Sequence, residues 1–515
     1  MKRFLERHGR HIIAVLSGFD RLVFRGVLRS LAVVCGMVDF LSRKQVRLKD
    51  FGDYVKQTSQ QLQAASCREA EAMGRPVQYV PSPKTNKEEI ARSIAEADGV
   101  TEGLICVLTC VEPCKSYTLY RDRASKTIDL RLTPRKCLHL YHYSIDPVFG
   151  FMNARIQAWF PFWVQVCING REWLARVMDR EGLGYQRADN CFTRLEDPER
   201  AQEIMDGFLR TAWPETLRRI ARQLNPDHEA LLSPYVADYY WTVYQSEWAT
   251  DLLYARASDL EAVHPQFAHH AMTTFGSDNV MRFLGRKLMG NYQGDVITTF
   301  KRRQEGICVK HWVGANSVKL YNKHGSVLRV ETTINNPQDF KVYRPKEGDP
   351  SGPKSWRRMR KGVADLHRRA QVSQASNERY LDALASTDTD TPVGELLRNL
   401  CRPVRWQGQR HRALRPWSDD RDLLSAVTRG EFAVNGFRNR DLQALLFPGA
   451  TTDPKEPQRR RSQITRRLRL LRAHGLIKKV PSTHRYLLTK KGRHLLTAVL
   501  ATQTITLAKL TEAAA

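Results

Sequence analysis

Residues 418–500 read, in order, as helix, short strand, helix, basic helix, two-stranded hairpin and helix, and this succession restricts the fold more than any other stretch of the chain. Ser418 is placed to cap a first helix over 419–427, and 432–437 has the composition of a short strand. Asn439 is placed to cap a second helix over 440–447, which Pro448-Gly449 stops. A polar loop leads into a third helix over 458–474. There Ile464, Leu468 and Leu471 recur at i, i+4 and i+7, which puts them on one core-facing stripe. Around that stripe stand Arg459, Arg460, Arg461, Arg466, Arg467, Arg469 and Arg472. Gly475 falls just past the helix end, where a positive φ is needed. Two strands, 476–480 and 485–489, flank the turn Pro481-Ser482-Thr483-His484, and Thr489 caps a last helix.

That order is the order of a winged helix-turn-helix. The run LRLLRAHGLIKKVPSTHRYLLTKKGRHLL resembles the winged-helix modules of MarR-like and ArsR-like regulators. The resemblance implies that the third helix enters a DNA major groove while the wing lies against the neighbouring backbone. The expected DNA-contacting residues are the seven arginines of that helix with His484 and Arg485 of the wing.

Charge points the same way. Across 515 residues, 82 Lys and Arg face 54 Asp and Glu, a formal charge of +28. So large an excess is self-repulsive, and a polyanionic partner relieves it. Double-stranded DNA is the leading partner; RNA stays open, because backbone electrostatics do not distinguish the two polymers. A second copy of the chain, as a homodimer, is a further expected partner. No run of eighteen apolar residues occurs, so no membrane partner is expected. The start, MKRFLERHGRHIIAVLSGFD, ends in Asp20-Arg21 without a cleavage site and reads as a strand. Ten cysteines without a secreted-domain framework fit reduced thiols in a cytoplasm.

The fold class expected for the whole is α+β. A large mixed sheet-and-helix domain spans 1–345, with 1–100 and 101–345 as candidate subdomains. A basic helical connector and arm covers 346–417, followed by the winged helix over 418–500 and a frayed tail over 501–515. Within the first domain, 11–29 alternates around Gly18 and Gly26 as a hairpin would. Helices are expected over 39–73, 87–97, 171–179, 198–223, 260–272 and 278–288. Strands are expected over 104–120, 127–143, 152–168, 295–301 and 306–313, with a hairpin over 317–333; 239–252 reads as strand or buried helix. In the connector, 346–355 is a polar hinge, 356–385 a basic helix, 386–392 a second break, and 402–417 a Trp-punctuated basic arm.

Three constellations could carry chemistry. In the hairpin NSVKLYNKHGSVLRVETTINNP, Val318, Leu320, Leu328, Val330, Thr332 and Ile334 alternate onto one face. Ser317, Lys319, Tyr321, Arg329, Glu331 and Thr333 take the other. This segment, 316–337, resembles part of the rolling-circle replication initiators, which implies Tyr321 as a nucleophile beside a metal. The His-hydrophobic-His motif of that family has no counterpart in register, since His139 and His142 stand one residue too far apart to share a strand face. Second, Cys110, Cys114, Cys137 and His139 offer thiol and imidazole donors of the kind zinc takes, although their gaps match no standard finger and buried free cysteines are ordinary core residues. Third, Asp20 stands on a first strand, as one acid does in RNase H-like folds. Glu247, Asp251 and Glu331 are the other acids set among apolar residues. Several such carboxylates would hold Mg²⁺ or Mn²⁺ for phosphoryl transfer, but each also reads as an ion-pair partner of Arg21, Arg25 or Arg329.

No GxxxxGK[ST], no GxGxxG after a strand, no HExxH and no GxSxG occurs, which leaves motors, dehydrogenases, zincins and serine hydrolases without support. Two functions remain. One is a DNA-processing protein of a mobile element, akin to a transposase, recombinase or replication initiator, with Asp20, Glu331 and Tyr321 as its catalytic candidates. The other is a non-enzymatic regulator with a large sensing or assembly domain.

Overall fold

The strand Ile12–Val27 (β1) is the spine of the molecule. Gly18 and Gly26 do not turn it into a hairpin; the chain runs straight through both. They are there for close approach. A Cβ on Gly18 would collide with the Met205 side chain, and one on Gly26 would meet the Trp241 ring at 2.9 Å. The computed structural model describes residues 1–504 apart from 125, 236–237, 287–293, 305, 350, 386–397, 399, 430–431, 433–435, 450–452 and 482. It is an α+β fold.

The further strands of the first region are Val77–Tyr79 (β2), Gly103–Asp122 (β3), Thr127–Asp146 (β4), Gly150–Gln157 (β5), Val164–Asn169 (β6), Tyr185–Ala188 (β7), Cys191–Leu195 (β8), Tyr240–Tyr254 (β9), Val296–Arg303 (β10), Gly306–Val313 (β11), Asn316–Lys323 (β12) and Val327–Ile334 (β13). Ten of them join β1 in one eleven-stranded sheet in the order β10-β11-β12-β13-β9-β1-β6-β5-β4-β3-β2, while β7 and β8 pair separately. β1 pairs antiparallel with both β6 and β9, and β9 antiparallel with β13. At the far edge β2 runs parallel to β3. The segment 152–168 is therefore two strands, and 239–252 is a strand. Its aromatic and β-branched content suits a strand buried between neighbours.

Helices cover this sheet. The helix expected over 39–73 is two, Val34–Arg43 and Phe51–Ala72, separated where Gln45 takes a φ of 57°. Asn169 leads from β6 straight into a helix. Its Oδ1 accepts from the backbone N–H of Arg171 and Glu172 and caps the helix Gly170–Glu181 directly off β6. The segment 198–223 breaks into Pro198–Gly207 and Trp213–Leu224, the second burying Trp213, Leu217, Ile220 and Leu224 as one stripe. Because the β6 register starts at Arg21, the earlier part of β1 lacks a partner on that side. Gln202 serves there: its amide donates to Ser17 O and accepts from Ser17 N at 2.9 and 2.8 Å.

Of the segment expected to be a basic connector, the part up to Asp382 belongs to the same compact unit as the large sheet. Ser355–Arg358 (β15) is a strand paired with Lys341–Arg344 (β14), and the helix starts only at Leu366, running to Leu384. Arg369 is fully buried, donating to Val243 O, Ile334 O and Ser246 Oγ. Asn377 donates to Trp248 O, Thr250 Oγ1 and Val330 O. A guanidinium and an amide can be buried only against acceptors, and the sheet backbone supplies them. The compact unit accordingly comprises Met1–Ala268, Phe283–Arg286 and Ile297–Asp382, and β2 joins residues of its first hundred to the common sheet.

The second unit comprises His269–Arg282, Lys287–Val296 and Ala383–Ala515. Its described elements include the short hairpin Val404–Trp406 (β16) and Gln409–His411 (β17), and the helices Arg421–Val427, Asn439–Leu446 and Glu456–Ala473. The hairpin Ile477–Lys479 (β18) and Tyr486–Leu488 (β19) and the helix Lys490–Thr504 follow. Ile464, Leu468 and Leu471 are buried among Leu423, Leu442, Leu476 and Leu496. Gly475 takes a φ of 70°, and Thr489 Oγ1 accepts from Gly492 N. Two caps differ from expectation. The first helix starts after Asp420, not Ser418, and the buried Asp420 carboxylate pairs with the half-exposed Arg412. At the second, Arg438 holds the capping position and the Asp441 carboxylate accepts from its backbone N–H, while Asn439 donates to Arg461 O and Thr465 Oγ1. Of the strand expected over 432–437, residues 433–435 lie outside the described residues, and Phe437 bridges to Tyr486. Ser482, the break over 386–392 and the tail beyond 504 likewise lie outside them. No helix among the described residues is long and apolar enough to cross a membrane.

Candidate active site

A backbone irregularity creates the site. Along the β1–β9 ladder Phe19 lies opposite Trp248 and Arg21 opposite Glu247, so Asp20 has no partner of its own. This bulge brings Asp20 and Arg21 to the same side of the sheet, next to Glu247. Two strands across, Glu331 on β13 lies opposite Ala249, hence diagonal to Glu247 on the same face. Asp20, Glu247 and Glu331 thus come from three adjacent strands, with one carboxylate oxygen of each within 4.8 Å of the others. Among the described residues this is the one group of three or more Asp, Glu, His or Cys side chains gathered so closely.

The surroundings hold these groups in place. Asn190 Nδ2 donates to both oxygens of Asp20 at 3.0 and 2.9 Å, and its own Oδ1 is buried without a hydrogen bond. Arg329, fully buried, donates to Asp20 at 3.2 Å and clasps Asp251 through Nε and Nη2. Arg171 adds a second cation on Asp251 at 3.0 Å. Lys319 Nζ stands 2.7 Å from Glu331 Oε1 as an ion pair, while Tyr321 donates to Oε2 at 3.0 Å. Gln245 donates to Glu247 at 2.6 Å.

Electrostatics separate the four acids. Burial pushes the Asp20 carboxyl up; Arg329 opposes the shift and Glu331 adds to it. Burial also raises Glu247, helped by the neighbouring Glu331. Asp251 is equally buried, yet Arg329 and Arg171 hold it below the usual carboxylate range. Asp251 is therefore the structural anchor of two arginines. Asp20, Glu247 and Glu331 form a crowded, like-charged trio, an arrangement that a divalent cation relieves.

The other candidates fall elsewhere. Tyr321 is brought to the cluster, but it is 7% exposed, its hydroxyl is engaged by Glu331, and burial with that carboxylate holds the phenol well above its ordinary value. It positions Glu331 and is ill-placed as a nucleophile. Cys110, Cys114, Cys137 and His139 lie on the paired strands β3 and β4 without converging as a ligand set. Burial pushes the Cys110 thiol up, Cys114 and Cys137 share a hydrogen bond, and His139 Nδ1 engages Cys137 O. Burial lowers His139 to about 4 and likewise His142. His142 faces Ser66 on the other side of β4.

In the second unit, Arg459, Arg461, Arg466 and Arg469 are exposed along the helix Glu456–Ala473, with His484 exposed in the β18–β19 turn. Arg460 is spent on Glu456 and Gly449 O, and Arg472 lies over Trp406. Arg467 and Arg485 are half-buried. The site residues least legible in sequence are Asn190, which reaches Asp20 across 170 residues, and Arg329, across 309. Nothing local marks either. Comparison with protein-family models, curated proteins and solved structures finds no match to this chain.

Proposed function

We propose that the chain is a DNA-processing protein that carries out divalent-metal-dependent phosphoryl transfer at Asp20, Glu247 and Glu331. The observation that carries this reading is the convergence of the three carboxylates on neighbouring strands. Mg²⁺ or Mn²⁺ held there would neutralise charge on a phosphate and acidify a bound water. The chain's own residues supply the rest. Asn190 and Arg329 fix Asp20, Tyr321 and Lys319 fix Glu331, and Arg21, exposed beside Asp20, is placed to meet a phosphate oxygen.

Residues 418–500 are read as a winged helix that binds duplex DNA, with Arg461, Arg466 and Arg469 as the groove-facing set. Support comes from the exposed arginines on a helix whose opposite stripe is buried, and from the charge of +28. A nicking or strand-joining assay with Mn²⁺ on DNA flanking the protein's own gene tests the whole. Activity lost in Asp20→Asn and Glu247→Gln, with DNA binding kept, is the expected result. DNA binding without cleavage of any such substrate would leave a non-enzymatic regulator as the reading.

A further inference from the structure

The sheet face that holds the acids continues on both sides of them as a pattern of cations and open aromatic rings. A second irregularity sits between β1 and β9: Val23 lies opposite Gln245 and Phe24 opposite Val243, so Tyr244 is the extra residue. The bulge turns Tyr244 outward, and it is 48% exposed. Arg25 lies over its ring at 3.9 Å and over the Trp163 ring at 5.5 Å. Arg29 lies over Tyr240 at 3.4 Å. On the other flank, Lys310 and Lys319 are directly opposite each other on β11 and β12, and Lys319 in turn lies opposite Glu331. Like charges in that relation are destabilising. Burial, and after it the Lys319 charge, lowers Lys310 below its ordinary value.

We propose that this face is the track for a single-stranded segment of DNA. Bases stack on the exposed Tyr244 ring, while Arg21 and Arg25 on one flank of the acids and Lys310 on the other meet the phosphates. The inference rests on the phosphoryl-transfer reading and names the form in which the substrate reaches the carboxylates. The cations answer the charge of the backbone. The rings answer the bases: an unpaired base offers its π-face to an exposed ring, whereas a duplex keeps those faces stacked internally. Arg21 and Arg25 are four residues apart on one strand, roughly 13 Å at ~3.3 Å per residue. That reach spans a few nucleotides and ends at Asp20.

The test is equilibrium binding of the full-length chain to a labelled oligothymidine, and separately to a duplex of the same length, by fluorescence anisotropy in EDTA. Tyr244→Ala and Arg25→Gln should each weaken oligothymidine binding about tenfold or more, leave duplex binding unchanged and keep the wild-type melting temperature. Tyr244→Phe should bind as wild type, since the ring is what stacks. If Tyr244→Ala does not fold, Tyr244→Leu replaces it. Wild-type affinity in the folded Tyr244 and Arg25 variants overturns the proposal. So does equal weakening for both polymers, or a loss in Tyr244→Phe as large as in Tyr244→Ala. Stabilisation by Mn²⁺ is read on the same proteins without EDTA. Its absence in wild type sinks the metal reading, whereas its presence with unaltered oligothymidine binding sinks the track alone.

Discussion

Glu247 differs from its two companions because no arginine or lysine forms an ion pair with it among the described residues. Removing its charge should therefore help the metal-free protein. Glu247→Gln is expected to raise the melting temperature without metal and to abolish the rise that Mn²⁺ gives wild type, both readable by calorimetry. The pH dependence has a definite sign. Asp20 and Glu247 are raised in the folded state above ordinary values of 3.8 and 4.5, so the folded chain keeps protons that the unfolded chain releases. Their contribution to stability is therefore present below those ordinary values and is lost as pH rises through the raised folded ones. Mn²⁺ should stabilise more at the upper end of that window, and a metal-induced shift independent of pH would contradict the assignment. Arg329 behaves oppositely. Arg329→Met leaves Asp20 and Asp251 buried without that cation and should cost about 3–5 kcal/mol in urea unfolding, the scale of a broken buried pair.

At the scale of elements, the site depends on how β1 is flanked. Gly170 opens the helix that leaves β6, and a Cβ there would collide with the carbonyl oxygen of Phe19, one residue before Asp20. Backbone cannot yield as a flexible side chain can. Gly170→Ala is expected to destabilise by about 1–3 kcal/mol and to weaken Mn²⁺ stabilisation as well, because the strain falls on the bulge itself. Asn169→Ala, which removes the cap of the same helix, should cost about 1 kcal/mol while leaving Mn²⁺ stabilisation intact. The pair of variants, measured by unfolding and by metal titration, separates loss of the helix from loss of the bulge.

For the whole molecule, the charge of +28 predicts that the proposed nucleic-acid binding depends on salt. Duplex binding should weaken steeply as salt is raised. Replacing Arg461, Arg466 and Arg469 together by alanine should reduce duplex affinity and flatten the salt slope by about one unit for each phosphate the variant no longer neutralises. Mn²⁺ stabilisation should be unchanged, since those arginines and the carboxylates belong to different compact units. An unaltered salt slope in that triple variant would remove the arginine helix from the interface.

Local physics wrote some of this plainly. The spacing of Ile464, Leu468 and Leu471 states a helix and its inner face, Gly475 states where that helix must end, and the alternation over 317–333 puts Lys319, Tyr321 and Glu331 on one side. These depend on neighbours a few residues away, and so the sequence contains them. It does not contain the roles of Gly18 and Gly26, which look like turn residues until Met205 and Trp241 are brought against them. Nor does it separate Asp251 from Asp20: both are acids amid apolar residues, and only the arrival of Arg171 and Arg329 from remote segments makes one an anchor and leaves the other in the cluster. Which carboxylates meet is decided by strand order and by one unpaired residue in a ladder. Both are set by pairing between segments far apart in the chain, and no local pattern records that pairing.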